Sequence, residues 1–134
     1  MRAIIPRMDF TKPATANPAY LLQAIQTYQV DNLFGSPALL NRLLTHPGVA
    51  TGGLQRLKRL VSAGAPVPAP LLRRLTPQLS RTAQVFTPYG ATEALPVACI
   101  GSVDILESTS HLTAQGKGTC VGWPAPAATV RILA

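Results

Sequence analysis

Leucine-rich helical stripes that alternate with short apolar strands constrain the fold of this chain more than any other sequence feature. Asn17-Pro18 is typical of a helix start, because Asn caps the helix and Pro at the first helical position loses no needed N–H. The same pair of signals recurs at Ser36-Pro37, and a third helix is predicted over residues 68–79. The apolar side chains of the three helices recur at helical spacing. They are Leu21, Leu22, Ile25 and Tyr28, then Leu39, Leu40, Leu43 and Leu44, and finally Leu71, Leu72, Leu75 and Leu79.

Short apolar segments between and after these helices are predicted strands. They cover residues 3–5, 31–35, 57–62 and 84–86, followed by residues 97–100, 120–121 and 129–133. Alternating helices and strands predict an α/β fold, a layered sheet with flanking helices and a β-rich C-terminal portion. The last predicted strand runs into Ala134 without a closing element, so we expect an incomplete domain.

Charge and cysteine content narrow the possible functions. The formal net charge is +7, which fits a solvated basic surface, a site for nucleotides or nucleic acid, or a surface whose acidic partners lie in another part of a longer protein. Cys99 and Cys120 form no C-x-x-C pair, which argues against a zinc site or a disulfide framework and favours a reducing, cytoplasmic location. No run of about eighteen apolar residues occurs, so no transmembrane helix is expected.

The segment from Tyr89 to Glu93, with the sequence YGATE, is the strongest local pattern. It follows a predicted strand, and ligands of α/β proteins gather where strands end. Its Gly lets a ligand approach the backbone, Thr92 offers a hydroxyl to phosphate oxygens, and Glu93 is a ligand type that suits Mg²⁺. Tyr89 can stack on a purine. The alternative interpretation is a turn with a helix cap at Thr92.

Two further loops follow predicted strands in the same way. Residues 62–66, with the sequence SAGAP, could lie flat against a planar ligand, or could serve only as a tight turn between strand and helix. Residues 34–37, with the sequence FGSP, precede a helix start, which favours anions, although an ordinary capped helix explains the same residues. Each of these two signals is weak by itself.

The order of the three motifs LxRLVSAGAP, YGATE and GxGTCVGWP resembles the adenylate-forming superfamily. That superfamily includes acyl-CoA synthetases, luciferases and the adenylation domains of peptide synthetases. The segments MDFTKPA, FGSPALL and TPYGATEALPVA are most similar to bacterial olefin-pathway β-lactone synthetases and long-chain fatty-acyl ligases. The resemblance implies that residues 1–134 are an internal part of the large N-terminal domain of such an enzyme.

The resemblance also implies a nucleotide site. A loop that lines the adenine pocket would consist of Gly64, Ala65 and Pro66. Tyr89 would stack on adenine beside Gly90, and Thr92 would contact the α-phosphate. Glu93 would bind Mg²⁺, so that Thr92 and Glu93 are the candidate catalytic residues and ATP and Mg²⁺ the implied cofactors.

Substrate contacts follow from the same resemblance. Phe34 and Gly35 would border the acyl channel, while Ala91 and Leu95 would lie near the carboxylate that is activated. The implied reaction joins a fatty or β-hydroxy fatty acid to AMP, and then forms a thioester or a β-lactone. Thr87 stands where some members have Asn, which puts one adenine contact in doubt.

Two consequences concern what this chain can do by itself. The family's phosphate loop is expected upstream of Met1, and its lid domain with the catalytic Lys is expected after Ala134. The resemblance therefore implies a fragment that is inactive alone, or one part of a split enzyme. An alternative from another class is a basic module that binds nucleic acid or another acidic partner through Arg56, Lys58 and Arg59. Few aromatic residues and the lack of a recognition motif argue against nucleic acid.

Overall fold

A five-stranded sheet organises the chain, whose residues 2–132 are described by a computed structural model. The strands occur in the sheet in the same order as in the sequence. They are β1 (Asn32–Phe34), β2 (Arg59–Val61), β3 (Gln84–Ala91), β4 (Ala94–Gly101) and β5 (Trp123–Pro124). The first three strands run parallel, whereas β4 and β5 each run antiparallel to the preceding strand. The predicted α/β class is therefore confirmed.

Helical segments connect the strands. The α-helices are α1 (Pro18–Thr27), α2 (Pro37–Leu43), α3 (Ala69–Leu75), α4 (Ser102–Asp104) and α5 (Ser110–Ala114). Single 3-10 turns cover Pro13–Thr15 and Thr76–Gln78, and wider helical turns cover Val49–Gly53 and Ile105–Thr109. Both predicted proline-led helix starts are confirmed, because the Asn17 side chain accepts a hydrogen bond from the Ala19 N–H and Ser36 accepts one from the Leu39 N–H.

Replacement of the Ser36 cap with alanine is expected to lower the free energy of unfolding by about 1 kcal/mol. The Ser36 hydroxyl lies 3.3 Å from the Leu39 nitrogen, and its loss leaves an N–H of the first turn of α2 without its partner. Urea unfolding followed by circular dichroism measures the difference. The exposed Ser108 provides the control, since Ser108→Ala removes a hydroxyl without removing a cap.

The hydrophobic core lies on one face of the sheet. Leu33, Leu60 and Val85 are register partners on the three parallel strands, and they point toward the helices. Leu60 and Val85 have no exposed surface. The leucine stripes predicted for the three helices supply most of the remaining core, namely Leu21, Leu22, Ile25, Leu39, Leu40, Leu43, Leu71, Leu72, Leu75 and Leu79. Helical periodicity therefore located the core correctly.

Three of the predicted strands do not occur where they were predicted. Residues 3–5 form no strand, and residues 4 and 5 line a cavity beside β1 instead. The strand predicted at residues 120–121 occurs at Trp123–Pro124. Residues 129–132 are not in a strand, while Leu133 lies outside the described residues.

Candidate nucleotide and substrate site

The carboxyl ends of β1 and β2 bring two of the candidate loops together. The Gly35 N–H, just after β1, donates to the Val61 carbonyl at 3.0 Å. The Ser62 N–H, just after β2, donates to the Phe86 carbonyl at 2.9 Å. Parallel strands thus deliver the FGSP and SAGAP motifs to one edge of the sheet, which is where α/β proteins bind ligands.

The loop after β2 has room for a ligand at Gly64. Gly64 has a φ of 90°, and a side chain added there would meet no atom within 4 Å. Ala65 and Pro66 are exposed beside it, so a planar group could lie against this stretch of backbone. The adenine pocket implied for these residues stays a prediction, and the open space at Gly64 is compatible with it.

Ser62, at the base of this loop, is a polar residue to which sequence reasoning gave no separate role. Its side chain is fully buried, and its hydroxyl has no hydrogen-bond partner within residues 2–132. A buried hydroxyl without a partner is costly, so it marks a place where a further polar group would be stabilising. Its place directly after an apolar strand is the only sequence signal that could have identified it.

The YGATE segment forms a β-hairpin. The strand predicted at residues 84–86 is too short, because β3 continues to Ala91 and pairs with β4. Phe86 is the last residue of β3 that pairs with β2, so Pro88 lies where one side of the strand has no neighbour and a missing N–H costs little there. Thr92 and Glu93 form the turn, and no helix begins at Thr92.

Gly90 is required by the hairpin itself. A β-carbon at this position would collide with the Ala94 carbonyl oxygen and would lie 3.1 Å from a methyl carbon of Leu95. The pairing register also shifts between Tyr89 and Ala91, which places an irregularity at Gly90. The absent side chain therefore accommodates the neighbouring strand, whereas the sequence had suggested close approach of a ligand.

Gly90→Ala is expected to lower the free energy of unfolding by about 1–3 kcal/mol, because the added methyl group must displace backbone atoms of β4. Thermal unfolding of the purified chain measures the loss. The adjacent and exposed Ala91 supplies a matched control, and Ala91→Ser is expected to change stability by less than about 0.5 kcal/mol. Equal stability of the Gly90→Ala variant and the parent would show that the hairpin is wider than described.

The hairpin tip lies beyond the part of β3 that pairs with β2, because that pairing stops at Phe86 whereas β3 continues to Ala91. Tyr89 and Leu95 are 55% and 54% exposed, so neither is enclosed by the described residues. By strand register Phe34 and Tyr89 lie on opposite faces of the sheet. The structure therefore brings Gly35 to the strand end that precedes the loop at Gly64, and it places Thr92 and Glu93 in the turn of the hairpin.

Glu93 is the one carboxylate at the hairpin tip. It is exposed and makes no ion pair within residues 2–132. In the same part of the chain, no group of three or more His, Cys, Asp or Glu side chains could hold a metal ion. Because Mg²⁺ commonly takes one or two carboxylates together with phosphate oxygens, Glu93 fits a metal that is shared with a nucleotide.

Phe34 and Gly35 border a large apolar cavity. Its volume is about 880 Å³, and it lies between the N-terminal segment, α1, β1 and the start of α2. Apolar side chains from these four parts line it, among them Ile4, Ile5, Met8, Phe10, Leu21, Ile25, Tyr28 and Leu39. The position of the cavity beside Gly35 is compatible with the predicted acyl channel.

The basic cluster of Arg56, Lys58 and Arg59 is less available than its sequence suggests. Asp31 lies 3.6 Å from the Arg56 guanidinium and 3.2 Å from the Lys58 ammonium. The Arg59 guanidinium lies 5.9 Å from the centre of the Phe86 ring. Two of the three cations are thus partly neutralised, which weakens the interpretation of this cluster as a surface for nucleic acid.

Comparison with known proteins decides the family. The sequence pattern of the family described as AMP-binding enzyme matches residues 7–134. The chain belongs to this family. Olefin beta-lactone synthetases from Stenotrophomonas maltophilia and Xanthomonas campestris are similar to this chain, at 45% and 44% identity over all of its 134 residues. The chain spans 23% of the length of each of these relatives.

Solved structures agree with the assignment of this chain to that family. An amide bond synthetase from Marinactinospora thermotolerans superposes on this chain with a TM-score of 0.64 at 26% identity. The alignment covers 83% of this chain and 21% of the synthetase chain. A luciferase-like enzyme from Zophobas morio superposes with a TM-score of 0.61 at 25% identity. The alignment covers 84% of this chain and 25% of the luciferase-like chain.

Within residues 2–132 there is no helix long and apolar enough to cross a membrane.

Proposed function

We propose that this chain is part of an ATP-dependent ligase that activates a carboxylic acid as its adenylate. The observation that carries the proposal is that the FGSP and SAGAP loops lie side by side at the carboxyl ends of β1 and β2. The whole length of the chain also matches olefin beta-lactone synthetases. The carboxylate attacks the α-phosphorus of ATP, the bond to pyrophosphate breaks, and pyrophosphate leaves. Positioning and neutralisation of charge supply the catalysis in such a reaction.

Residues of this chain would contribute one wall of the site. Gly64, Ala65 and Pro66 would border adenine, and Tyr89 would stack on it. Thr92 would donate a hydrogen bond to the α-phosphate, and Glu93 would hold Mg²⁺ on the phosphates.

The substrate would be an acid with a long apolar tail. The cavity of about 880 Å³ beside Phe34 and Gly35 supports this proposal, because its lining is largely aliphatic and aromatic. Ala91 and Leu95 would flank the carboxylate. A fatty or β-hydroxy fatty acid fits, and the second step would pass the acyl group to a thiol or close a β-lactone. The scattered cysteines support a reducing cytoplasm as the location.

Residues 1–134 would form only part of the large domain. The phosphate loop, its Lys and the lid domain would come from other parts of a full-size protein, or from the other part of a split enzyme. By itself the chain is then expected to show no exchange of radioactive pyrophosphate into ATP. An isolated chain with robust acid-dependent exchange would contradict this part of the proposal.

A graft tests the activity directly. This chain replaces the segment that it matches in the Stenotrophomonas maltophilia synthetase, and exchange is measured with β-hydroxy fatty acids of several lengths. Acid-dependent exchange above background is the expected result. A graft that melts cooperatively like the parent enzyme but shows no exchange with any acid would overturn the proposal.

A further inference from the structure

A second cavity, of about 380 Å³, lies away from the candidate nucleotide and substrate site. Residues at the ends of α2 and α3, and in the helical turns that follow these two helices, line it. Because α2 and α3 each connect two parallel strands, they run opposite to the strands and end near the strands' amino ends. The cavity is therefore at the other end of the sheet from the FGSP and SAGAP loops. We call it the basal cavity.

Two guanidinium groups line the basal cavity. Arg73 donates to the Ser110 hydroxyl at 3.4 Å, and Arg74 donates to the Asn41 side-chain oxygen at 2.9 Å. A guanidinium has five N–H donors, so these contacts leave most of the donors free. No carboxylate lies within ion-pair distance of either arginine in residues 2–132. Basic residues also suit the last turn of a helix, so the two arginines alone do not indicate a ligand.

Two half-buried polar side chains add donors to the same cavity. The Gly48 N–H donates to Nδ1 of His46 at 3.0 Å, which places the proton of a neutral imidazole on Nε2 and makes that atom a donor. The side-chain amide of Gln78 supplies a further donor. Among residues 2–132 no Asp or Glu lines the cavity. Donors of three chemical kinds thus converge where the described chain offers no carboxylate to accept from them.

The chemistry of the lining defines a class of ligand. Two guanidinium charges match a phosphomonoester, which carries about two negative charges near pH 7 and has three acceptor oxygens. Guanidinium groups also bind phosphate through pairs of parallel N–H bonds. The rest of the lining is mostly apolar and includes Leu44, Val49 and Pro77. A bare phosphate ion would leave these apolar side chains without a contact, whereas an organic phosphate would use them. The volume of the cavity falls within the usual range for small-molecule sites.

We propose that the basal cavity binds a small organic phosphomonoester. Its phosphate contacts Arg73, Arg74 and His46, and its organic part packs against Leu44 and Val49. A ligand in this position touches the segments that follow both α2 and α3, and it stabilises the folded state because it binds only that state. The site is independent of the ligase activity proposed above, whose loops lie at the opposite end of the sheet.

The test is a calorimetric titration of the purified 134-residue chain with phenyl phosphate. Salt at about 0.15 M screens general attraction to a net charge of +7. We expect saturable binding, at least tenfold weaker binding of inorganic phosphate, and no binding of uncharged phenol. Replacing Arg73 and Arg74 together with Gln is expected to weaken phenyl phosphate binding at least tenfold. The matched control is Arg81→Gln, at an exposed arginine outside the cavity lining, with an expected change of less than twofold.

His46→Asn separates loss of the ligand contact from loss of folding. The Asn side-chain oxygen can still accept the Gly48 N–H, but the Nε2 donor is gone. Binding of phenyl phosphate is expected to weaken about threefold or more, while the melting temperature of the free chain changes by less than about 2 °C.

Several results would overturn the proposal. They are the absence of saturable binding up to about 10 mM phenyl phosphate, equal binding of phenol, and unchanged binding by the double arginine variant. Equal weakening by Arg81→Gln and by the double variant would also overturn it, because the attraction would then be to the net charge of the chain. Failure of the graft to exchange pyrophosphate would count against the proposed ligase activity and not against this site.

Discussion

Leu60→Ala is expected to lower the free energy of unfolding by about 2–5 kcal/mol, the usual range for removal of a leucine side chain from a packed core. Leu60 has no exposed surface and lies on the central parallel strand of the sheet, between Leu33 and Val85. Its truncation leaves a cavity that rigid strand neighbours on both sides cannot close. Because a domain of this size has a total stability of about 5–15 kcal/mol, the variant is expected to lose a large fraction of its folded population on mild heating.

Urea unfolding monitored by circular dichroism measures this loss. The matched control is Leu95→Ala, since Leu95 is 54% exposed on the hairpin and its truncation is expected to change stability by less than about 0.5 kcal/mol. A Leu60→Ala variant with the unfolding midpoint of the parent would show that β2 does not organise the core. Equal losses in both variants would show that the hairpin is packed more tightly than described.

Glu93→Gln, introduced into the graft, is expected to reduce kcat/KM for ATP–pyrophosphate exchange on the order of 100-fold, the effect of losing one stabilising group at a site where charge develops. The substitution preserves the shape of the side chain and removes the charge that would hold Mg²⁺ on the phosphates. The measurement compares exchange rates over a series of Mg²⁺ concentrations. A weakened metal site predicts that higher Mg²⁺ restores part of the lost rate.

The control for this experiment is Glu107→Gln, because Glu107 is an exposed carboxylate in the helical segment after β4. It is expected to leave exchange unchanged. If Glu93→Gln keeps exchange within about threefold of the parent graft, Glu93 is not the metal ligand, and the role implied by the resemblance is wrong for this chain. Identical melting temperatures of the two variants would exclude unfolding as the cause of a lost rate.

Helix starts and the core were predictable because their signals are local. Ser36 followed by Pro37 specifies a cap within two residues, and the leucine stripe of α3 repeats at the period of the helix. These features need no knowledge of distant residues. The structure confirms them at Ser36, Leu71, Leu72 and Leu75.

The hairpin and the segment after it were not predictable in the same way. Proline at residue 88 suggested a strand end, but whether a proline is tolerated depends on which neighbouring strand is present, and β2 pairs only as far as Phe86. The contact of Gly90 with Ala94 likewise depends on pairing across the hairpin. Residues 102–114, which lie between the strands predicted at 97–100 and 120–121, are helical and contain both α4 and α5.

The candidate site likewise contains parts that local sequence signals predict and parts that they do not. Its loops at Gly35 and Gly64 could be placed at one edge, because parallel strands align their carboxyl ends. The place of Thr92 and Glu93 in a hairpin turn could not be predicted, because no local pattern specified how far β3 continues. Ser62 could not be singled out by its position alone, because a serine after an apolar strand is common in tight turns.

Strand order in the sheet has a consequence for synthesis of the protein. Because the five strands occur in the sheet in the order in which they leave the ribosome, each new strand can dock on the strand made just before it. Such sequential pairing brings together strands that are near each other along the chain. Topologies in which contacting residues have a small sequence separation fold fast. The sheet can therefore assemble strand by strand, while later parts of the chain are still being made.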